Sequence, residues 1–283
     1  MLNDLVTIYI PTFNRINLLQ RAVNSVLNQT YKNIELIVVD DCSTDGTVDY
    51  LEDISKKDPR VRYFLKEKNS GACVSRNIAI NNAKGKFITG LDDDDYFTEK
   101  RIESFINFWP YKKKNTIALS ALYAVKNHNK LNYGKNLFKN KIIKYNDMFL
   151  SNKVGNQIFI ETSVLKEIGG FDEDLKCWQD LECWLRVLQR GNIEKLIQHS
   201  YIIDISHDKP RIGNSVHQKY ISSYEYITKK FSLISKYKYY LYLQTFNCNG
   251  AKKDLSLYLK ACIKYPSFQI LLSTFIHILK GIK

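Results

Sequence analysis

Apolar runs and amphipathic stretches alternate through the first hundred residues. Residues 6–10 form a β-branched and aromatic run closed by Pro11. Residues 15–29 then place Leu18, Leu19, Ala22, Val23, Val26 and Leu27 on one helical face. Residues 34–39 predict a second buried strand, ending in Asp40 and Asp41. The turn CSTDG leads to a helix with Val48, Leu51 and Ile54 inward. Val61–Leu65 predicts a third strand, residues 70–83 a helix, and residues 87–91 a fourth strand. This alternation predicts a parallel α/β sheet. Ligands of such sheets bind beyond the carboxyl ends of the strands. Pro11 with Thr12, Asp40 with Asp41, and the four acids 92–95 all fall at those ends.

After Leu119 the pattern loosens. Residues 126–144 read as an exposed Lys/Asn-rich connection, 157–161 as a strand, and Gly169-Gly170-Phe171-Asp172 as a turn. Residues 178–190 predict a helix with Leu181, Trp184, Leu185 and Leu188 on its apolar face. From about 218 onward the chain reads as helical, basic and aromatic, without strand alternation.

The segment ITGLDDDD carries the sharpest chemistry. Four adjacent carboxylates, Asp92, Asp93, Asp94 and Asp95, end an apolar strand. They repel one another, and no core tolerates them unpaired, so a cation belongs beside them. Oxygen-only ligands favour a hard divalent ion, Mg²⁺ or Mn²⁺, and a cluster open to solvent. The plain alternative is a solvated acidic turn.

Composition adds one asymmetry. Of the net charge of +13, a surplus of +11 falls in residues 209–283, which hold 13 Lys and Arg against 2 Asp and Glu. A basic appendage on a nearly neutral domain points to an anionic surface such as lipid, nucleic acid or an acidic acceptor. Cys42, Cys73, Cys177, Cys183, Cys248 and Cys262 show no paired or metal-binding spacing and read as reduced thiols in a cytoplasmic protein. The first residues lack a signal-peptide pattern, and no apolar run reaches membrane-spanning length.

Seven segments in order carry a resemblance: IPTFNR (10–15), SVLNQTY (25–31), ELIVVDDCSTDGT (35–47), NSGACVSRN (69–77), ITGLDDDD (88–95), GGFDEDL (169–175) and QDLECWLRVLQRG (179–191). Together they resemble the family-two inverting glycosyltransferases, over roughly residues 4–208. The resemblance implies a GT-A fold, an α/β domain with a mostly parallel sheet flanked by helices, here followed by a helical C-terminal appendage. It divides the chain into a catalytic domain, 1–208, and a basic region, 209–283. Within the former, residues 1–97 form the nucleotide-sugar half and 98–208 the acceptor half.

The same resemblance assigns roles. Asp40 stands where the family recognises the nucleobase, and a carboxylate there accepts the N3–H of uracil. Pro11, Thr12, Phe13 and Arg15 line the same loop, with Phe13 where the family usually has Tyr. Arg76 faces the nucleotide, and Asp92 the ribose. Asp94 holds the metal, with Asp93 left open as its rival and otherwise at the nucleotide-sugar. Asp180 corresponds to the catalytic base, although the usual Glu-Asp pair is here Gln179-Asp180. Its plain role is a helix cap, and Glu182 competes for the base role. His207 and Arg211, with Ser215, fall where relatives carry a loop over the diphosphate.

The implied activity moves one sugar from a UDP-sugar to a hydroxyl of a glycan or lipid-linked glycan, in lipopolysaccharide, O-antigen or capsule assembly. The absence of a Gln-x-x-Arg-Trp motif argues for a single transfer. A nucleotidyltransferase would need a Gly-rich basic loop after the first strand, which PTFNR does not offer. A nucleic-acid-binding tail would interleave Arg with aromatics, whereas 266–283 is strongly apolar, with Leu271, Leu272, Phe275, Ile276 and Leu279 in one stripe. That stripe packs either on the catalytic domain or on an anionic membrane, placing the enzyme peripherally on the inner face.

Overall fold

A computed structural model describes residues 3–133, 141–209, 217–247, 255–266 and 271. Two compact units are distinguishable: Met1–Lys144 with Val154–Glu173 and Cys183–Lys209, and Tyr145–Lys153 with Asp174–Glu182 and Pro210–Lys283. The sequence suggests one contiguous cut after 208, whereas two internal stretches cluster with the C-terminal helices.

In the first unit the chain runs β1 (Val6–Thr12), α1 (Ile16–Leu27), β2 (Ile34–Asp40), α2 (Thr47–Lys57), β3 (Val61–Leu65), α3 (Ala72–Asn82), β4 (Phe87–Gly90), β5 (Tyr96–Phe97) and α4 (Arg101–Phe108). There follow β6 (Thr116–Asn127), β7 (Lys130–Tyr133), β8 (Lys141–Ile143), β9 (Phe159–Glu161), α5 (Thr162–Glu167) and, after α6 (Gln179–Arg190), β10 (Asn192–Asp204). The sheet order is β3-β2-β1-β4-β9-β6-β10-β5, with β7 on β6 and β8 on β10. Strands β3, β2, β1 and β4 are mutually parallel, and β9 joins antiparallel to both β4 and β6.

Every residue of β1, β2 and β4 is buried, as expected where helices cover both faces of a parallel sheet. Strand β1 runs through Pro11, beyond its sequence-predicted end. Pro11 pairs in register with Val39 of β2, but β4 accompanies β1 only as far as Tyr9, so the missing proline N–H faces no β4 partner. Leu19, Ala22, Val23 and Val26 form the buried face of α1. Phe159 stacks between Phe87 and Phe105, with ring centroids 4.9 and 5.1 Å away.

Two corrections concern the second half of this unit. Residues 126–144 include the end of β6, the hairpin strand β7 and β8, and β10 is a 13-residue strand that the loosened pattern did not predict. The strand read over 157–161 begins only at Phe159, where pairing with Thr89 of β4 and Leu119 of β6 starts.

The second unit holds α7 (His217–Lys230), α8 (Ser235–Gln244) and α9 (Leu255–Lys264). Phe149 stacks on Tyr237 at 4.7 Å, and Gln244 donates from Nε2 to the carbonyls of Met148 and Phe149. Segment 145–153 is thereby tied to α8. The expected stripe over 266–283 lies outside the described residues, except for Pro266 and an exposed Leu271. Among the described residues, no helix is long and apolar enough to cross a membrane.

Candidate active site

The carboxyl ends of β1, β2 and β4 bring the first-unit polar clusters together. Thr12 and Asp40 are register partners on adjacent strands. Asp40 is 1% exposed, and its Oδ2 accepts the Ser43 N–H at 2.9 Å. Its Oδ1 is buried with no hydrogen-bond partner. A buried carboxylate oxygen without a donor is costly and invites one from a ligand. Asp41 does different work. It accepts the N–H groups of Ser70 and Gly71 at 2.8 Å and pairs with Lys66 at 2.5 Å, anchoring the loop that opens α3. Ser43 and Thr44 bond Asn14 rather than capping α2, and Asp45 receives the Thr47 N–H and hydroxyl at its start. Phe13 beside them is 42% exposed.

The acid cluster is not the open turn expected from its charge. Asp93, Asp94 and Asp95 are 5%, 3% and 0% exposed, and their cationic neighbours come from the chain itself. Arg15 Nη1 lies 2.7 Å from Asp93 and 3.2 Å from Asp94. Thr12 donates its hydroxyl to Asp93 at 2.9 Å. Burial pushes the Asp93 carboxyl up to about 6; Arg15 opposes the rise and Asp94 adds to it. His207 Nε2 is 3.6 Å from Asp94 Oδ2, and neither buried ring nitrogen has a hydrogen-bond partner.

Asp92 is the half-buried member and has its own surroundings. Arg76 Nη2 donates to its Oδ1 at 3.2 Å, while the guanidinium lies 5.1 Å from the Phe171 ring centroid. Tyr201 on β10 receives the Asp92 N–H at 3.2 Å and donates to its Oδ2 at 3.5 Å. Gln157 accepts from the Tyr9 hydroxyl at 3.0 Å and donates to Asp92 Oδ1 at 3.5 Å. Gly90 permits this packing: a Cβ there would sit 2.2 Å from Gln157 Oε1 and 2.4 Å from the Tyr9 ring. Gly170, at φ +65°, leaves room for Asn77, whose amide exchanges two hydrogen bonds with the backbone of Phe171. The segments NSGACVSRN and GGFDEDL are thus locked together.

Tyr9, Gln157, Tyr201 and Arg21 were not singled out from the sequence. Their partners come from distant strands; Tyr201, for example, is 109 residues from Asp92.

Asp180 and Glu182 belong to the second unit, at the start of α6. Asp180 is half-buried and accepts the Asn152 amide at 2.8 Å. Glu182 is fully buried and pairs with Lys230 at 2.8 Å, which fits a structural ion pair rather than a base. Arg211 and Ser215 lie outside the described residues.

Among the described residues, no three acid, His or Cys side chains form a closed metal site. Asp94 and His207 nevertheless offer an oxygen and a nitrogen donor side by side, with His207 lacking any competing hydrogen bond. This two-donor set is buried, with Arg15 3.2 Å from the same Asp94 oxygen, and fits an ion that takes its remaining ligands from substrate phosphate and water.

The parallel half-sheet gathers these acids and arginines at the carboxyl ends of its strands, where α/β sheets bind their ligands. The Glycosyl transferase family 2 model matches residues 7–167, and the chain belongs to that family of glycosyltransferases. A relative in Escherichia coli (strain K12), the putative colanic acid biosynthesis glycosyl transferase WcaA, is 33% identical over 261 residues, 83% of this chain and 88% of that protein. Among solved structures, S. aureus TarS 1-349 in complex with UDP-GlcNAc has a TM-score of 0.70 at 20% identity, covering 86% of this chain and 71% of that one. The mannosyltransferase PcManGT from Pyrobaculum calidifontis, in complex with GDP-Man and Mn²⁺, has a TM-score of 0.60 at 15% identity, over 98% and 80% of the two chains. These similarities establish the GT-A fold.

Proposed function

We propose that this glycosyltransferase moves one sugar from a UDP-sugar to a hydroxyl of a glycan acceptor, with inversion, in the assembly of a bacterial surface polysaccharide. One observation carries the donor assignment: Asp40 keeps a buried, unpartnered Oδ1 at the end of β2. That oxygen accepts the N3–H of uracil, which cytosine lacks. Pro11, Thr12 and Phe13 flank the base, and Asp92 takes the ribose. The UDP-GlcNAc bound by TarS and the colanic acid role in the name of WcaA support the donor class and the pathway type.

Arg76 and Arg15 supply fixed positive charge near the diphosphate. Asp94, with His207, would hold a divalent ion, a cofactor class that the Mn²⁺ in PcManGT supports. Arg15 contacts both acids, but Asp93 also takes the Thr12 hydroxyl and the shorter Arg15 contact, which leaves Asp94 the better ligand. When bound, the ion would screen the charge on the departing diphosphate. Asp180 takes the proton from the acceptor hydroxyl as its oxygen attacks the anomeric carbon, and a single displacement inverts the configuration. The acceptor is a glycan or lipid-linked glycan met at the cytoplasmic membrane surface.

A screen of UDP-, GDP- and dTDP-sugars for hydrolysis, with Mn²⁺ or EDTA, tests this reading. Hydrolysis of UDP-sugars in preference to GDP-sugars, lost in EDTA, is expected; dTDP-sugars, whose thymine presents the same N3–H, test the ribose contact of Asp92 instead. Equal turnover of GDP-sugars would overturn the Asp40 assignment, and full activity in EDTA would overturn the metal.

A further inference from the structure

Asp204 closes β10, 2% exposed, and gathers contacts from four segments. It forms an ion pair with Arg21 Nη1 of α1. Lys126, at the end of β6, approaches the same oxygen at 3.5 Å. The Ser206 N–H donates to its other oxygen at 2.9 Å, and its own N–H donates to Asp95 Oδ1 at 3.1 Å. Arg21 in turn donates from Nη2 to the backbone carbonyl of Asp94 at 2.6 Å. Arg21 and Lys126 both lie over the ring of Tyr96, at 5.0 and 5.6 Å.

One carboxylate therefore fixes two pieces of backbone. On one side is the acid turn that presents Asp94. On the other is the turn after β10, held also by the Ile205 N–H on Lys126 O and the His128 N–H on Ser206 Oγ, which presents His207. The two presented side chains end 3.6 Å apart. Neither Arg21 nor Asp204 has any role in the base or ribose contacts described above.

We propose that the Arg21–Asp204 pair is a positioning device that sets the spacing of Asp94 and His207, and through it the affinity for the divalent ion bound together with UDP. This rests on the metal reading above. Groups that orient metal ligands in this way are typically worth 10–100-fold in metal affinity. A pair that merely stabilised the fold would act on nucleotide binding with and without metal alike.

The test measures UDP binding to the full-length protein by calorimetry, in Mn²⁺ and in EDTA, for wild type, Arg21→Gln, Asp204→Asn and Lys126→Gln. Arg21 is one-third exposed, so Arg21→Gln keeps the test valid if Asp204→Asn does not fold. In EDTA all folded forms are expected to bind UDP equally. The gain on adding Mn²⁺ should fall about 10–100-fold in Arg21→Gln and Asp204→Asn. Lys126→Gln, which loses a longer, part-exposed ion pair and a place over the Tyr96 ring but no hydrogen bond to the acid turn, should stay within about two-fold of wild type. An undiminished Mn²⁺ gain in folded Arg21→Gln, or an equal loss in EDTA, would overturn the positioning role. A wild-type protein without any Mn²⁺ gain would instead remove the metal reading, and the positioning role with it.

Discussion

Glu182 and Asp180 stand two residues apart in the first turn of α6 in very different surroundings. Glu182 is fully buried against Lys230, while Asp180 is half-buried and held by the Asn152 amide. If Asp180 is the base, Asp180→Asn removes proton acceptance while keeping size. Turnover should fall by about 10²–10⁴-fold with UDP affinity unchanged; near-normal kinetics would exclude the role. Glu182→Gln should do the reverse. It leaves Lys230 without its counter-charge and costs on the order of 1–3 kcal/mol, allowing for the partial exposure of Lys230. A lower melting temperature with normal turnover per folded molecule is the expected pattern. The sequence made Asp40, Asp92, Asp94 and Asp180 legible because acids at strand and helix ends stand out locally. It could not reveal that Asp40 keeps one buried oxygen unpartnered while Asp41 spends both on the loop before α3. Nor could it pair Arg21 with Asp204, 183 residues away.

At the scale of elements, β1, β2 and β4 were readable because fully buried strands leave near-continuous apolar runs, and β3, buried only at Val61, from its β-branched and aromatic residues. Strand β10 was not, because its register shifts twice between Leu196 and Tyr201, and each irregularity breaks the alternation that marks a strand. The acid turn was misjudged as open because local sequence shows four negative charges but not the arginines brought in from α1 and its N-terminal turn. Glu35 gives an element-level test at the opposite end of the sheet from the site. It is 6% exposed and receives the Thr7 hydroxyl, Arg62 and the N–H groups of Lys84 and Gly85, tying β2 to β1 and to the turn before β4. Burial alone would raise its pKa, but these hydrogen bonds outweigh it and hold the carboxyl below its ordinary value. A depressed carboxylate stabilises the fold fully above its unfolded pKa of about 4.3, and this contribution is lost as pH falls through the folded value. Glu35→Gln should therefore lower the melting temperature at pH 7, and the difference from wild type should shrink below about pH 4. A gap independent of pH would assign the loss to packing.

At the scale of the whole molecule, charge is the feature that composition reveals and the fold of the sheet does not explain. The surplus of +11 in residues 209–283 includes Lys219, Lys229, Lys238, Lys260 and Lys264, all exposed on α7 to α9. Ile234, Leu259 and Ile263 are exposed on the same unit, at 62%, 47% and 84%. Lysines interspersed with exposed aliphatic side chains suit an anionic lipid surface, where each basic residue contributes about 1 kcal/mol at physiological salt and less as salt rises. Shallow insertion of the aliphatic groups would add attachment without spanning the bilayer. Flotation of the full-length protein with vesicles containing anionic lipid, with neutral vesicles, and at low and high salt measures this directly. Binding to anionic vesicles that weakens with salt is expected. Removing residues from Pro266 onward should reduce it while leaving UDP binding intact, because every residue assigned to the nucleotide lies upstream. Equal flotation on neutral and anionic vesicles would show that charge does not recruit the enzyme. Loss of UDP binding on truncation would show instead that the terminal segment is part of the catalytic fold, so that its apolar stripe serves packing and the acceptor must be met by diffusion.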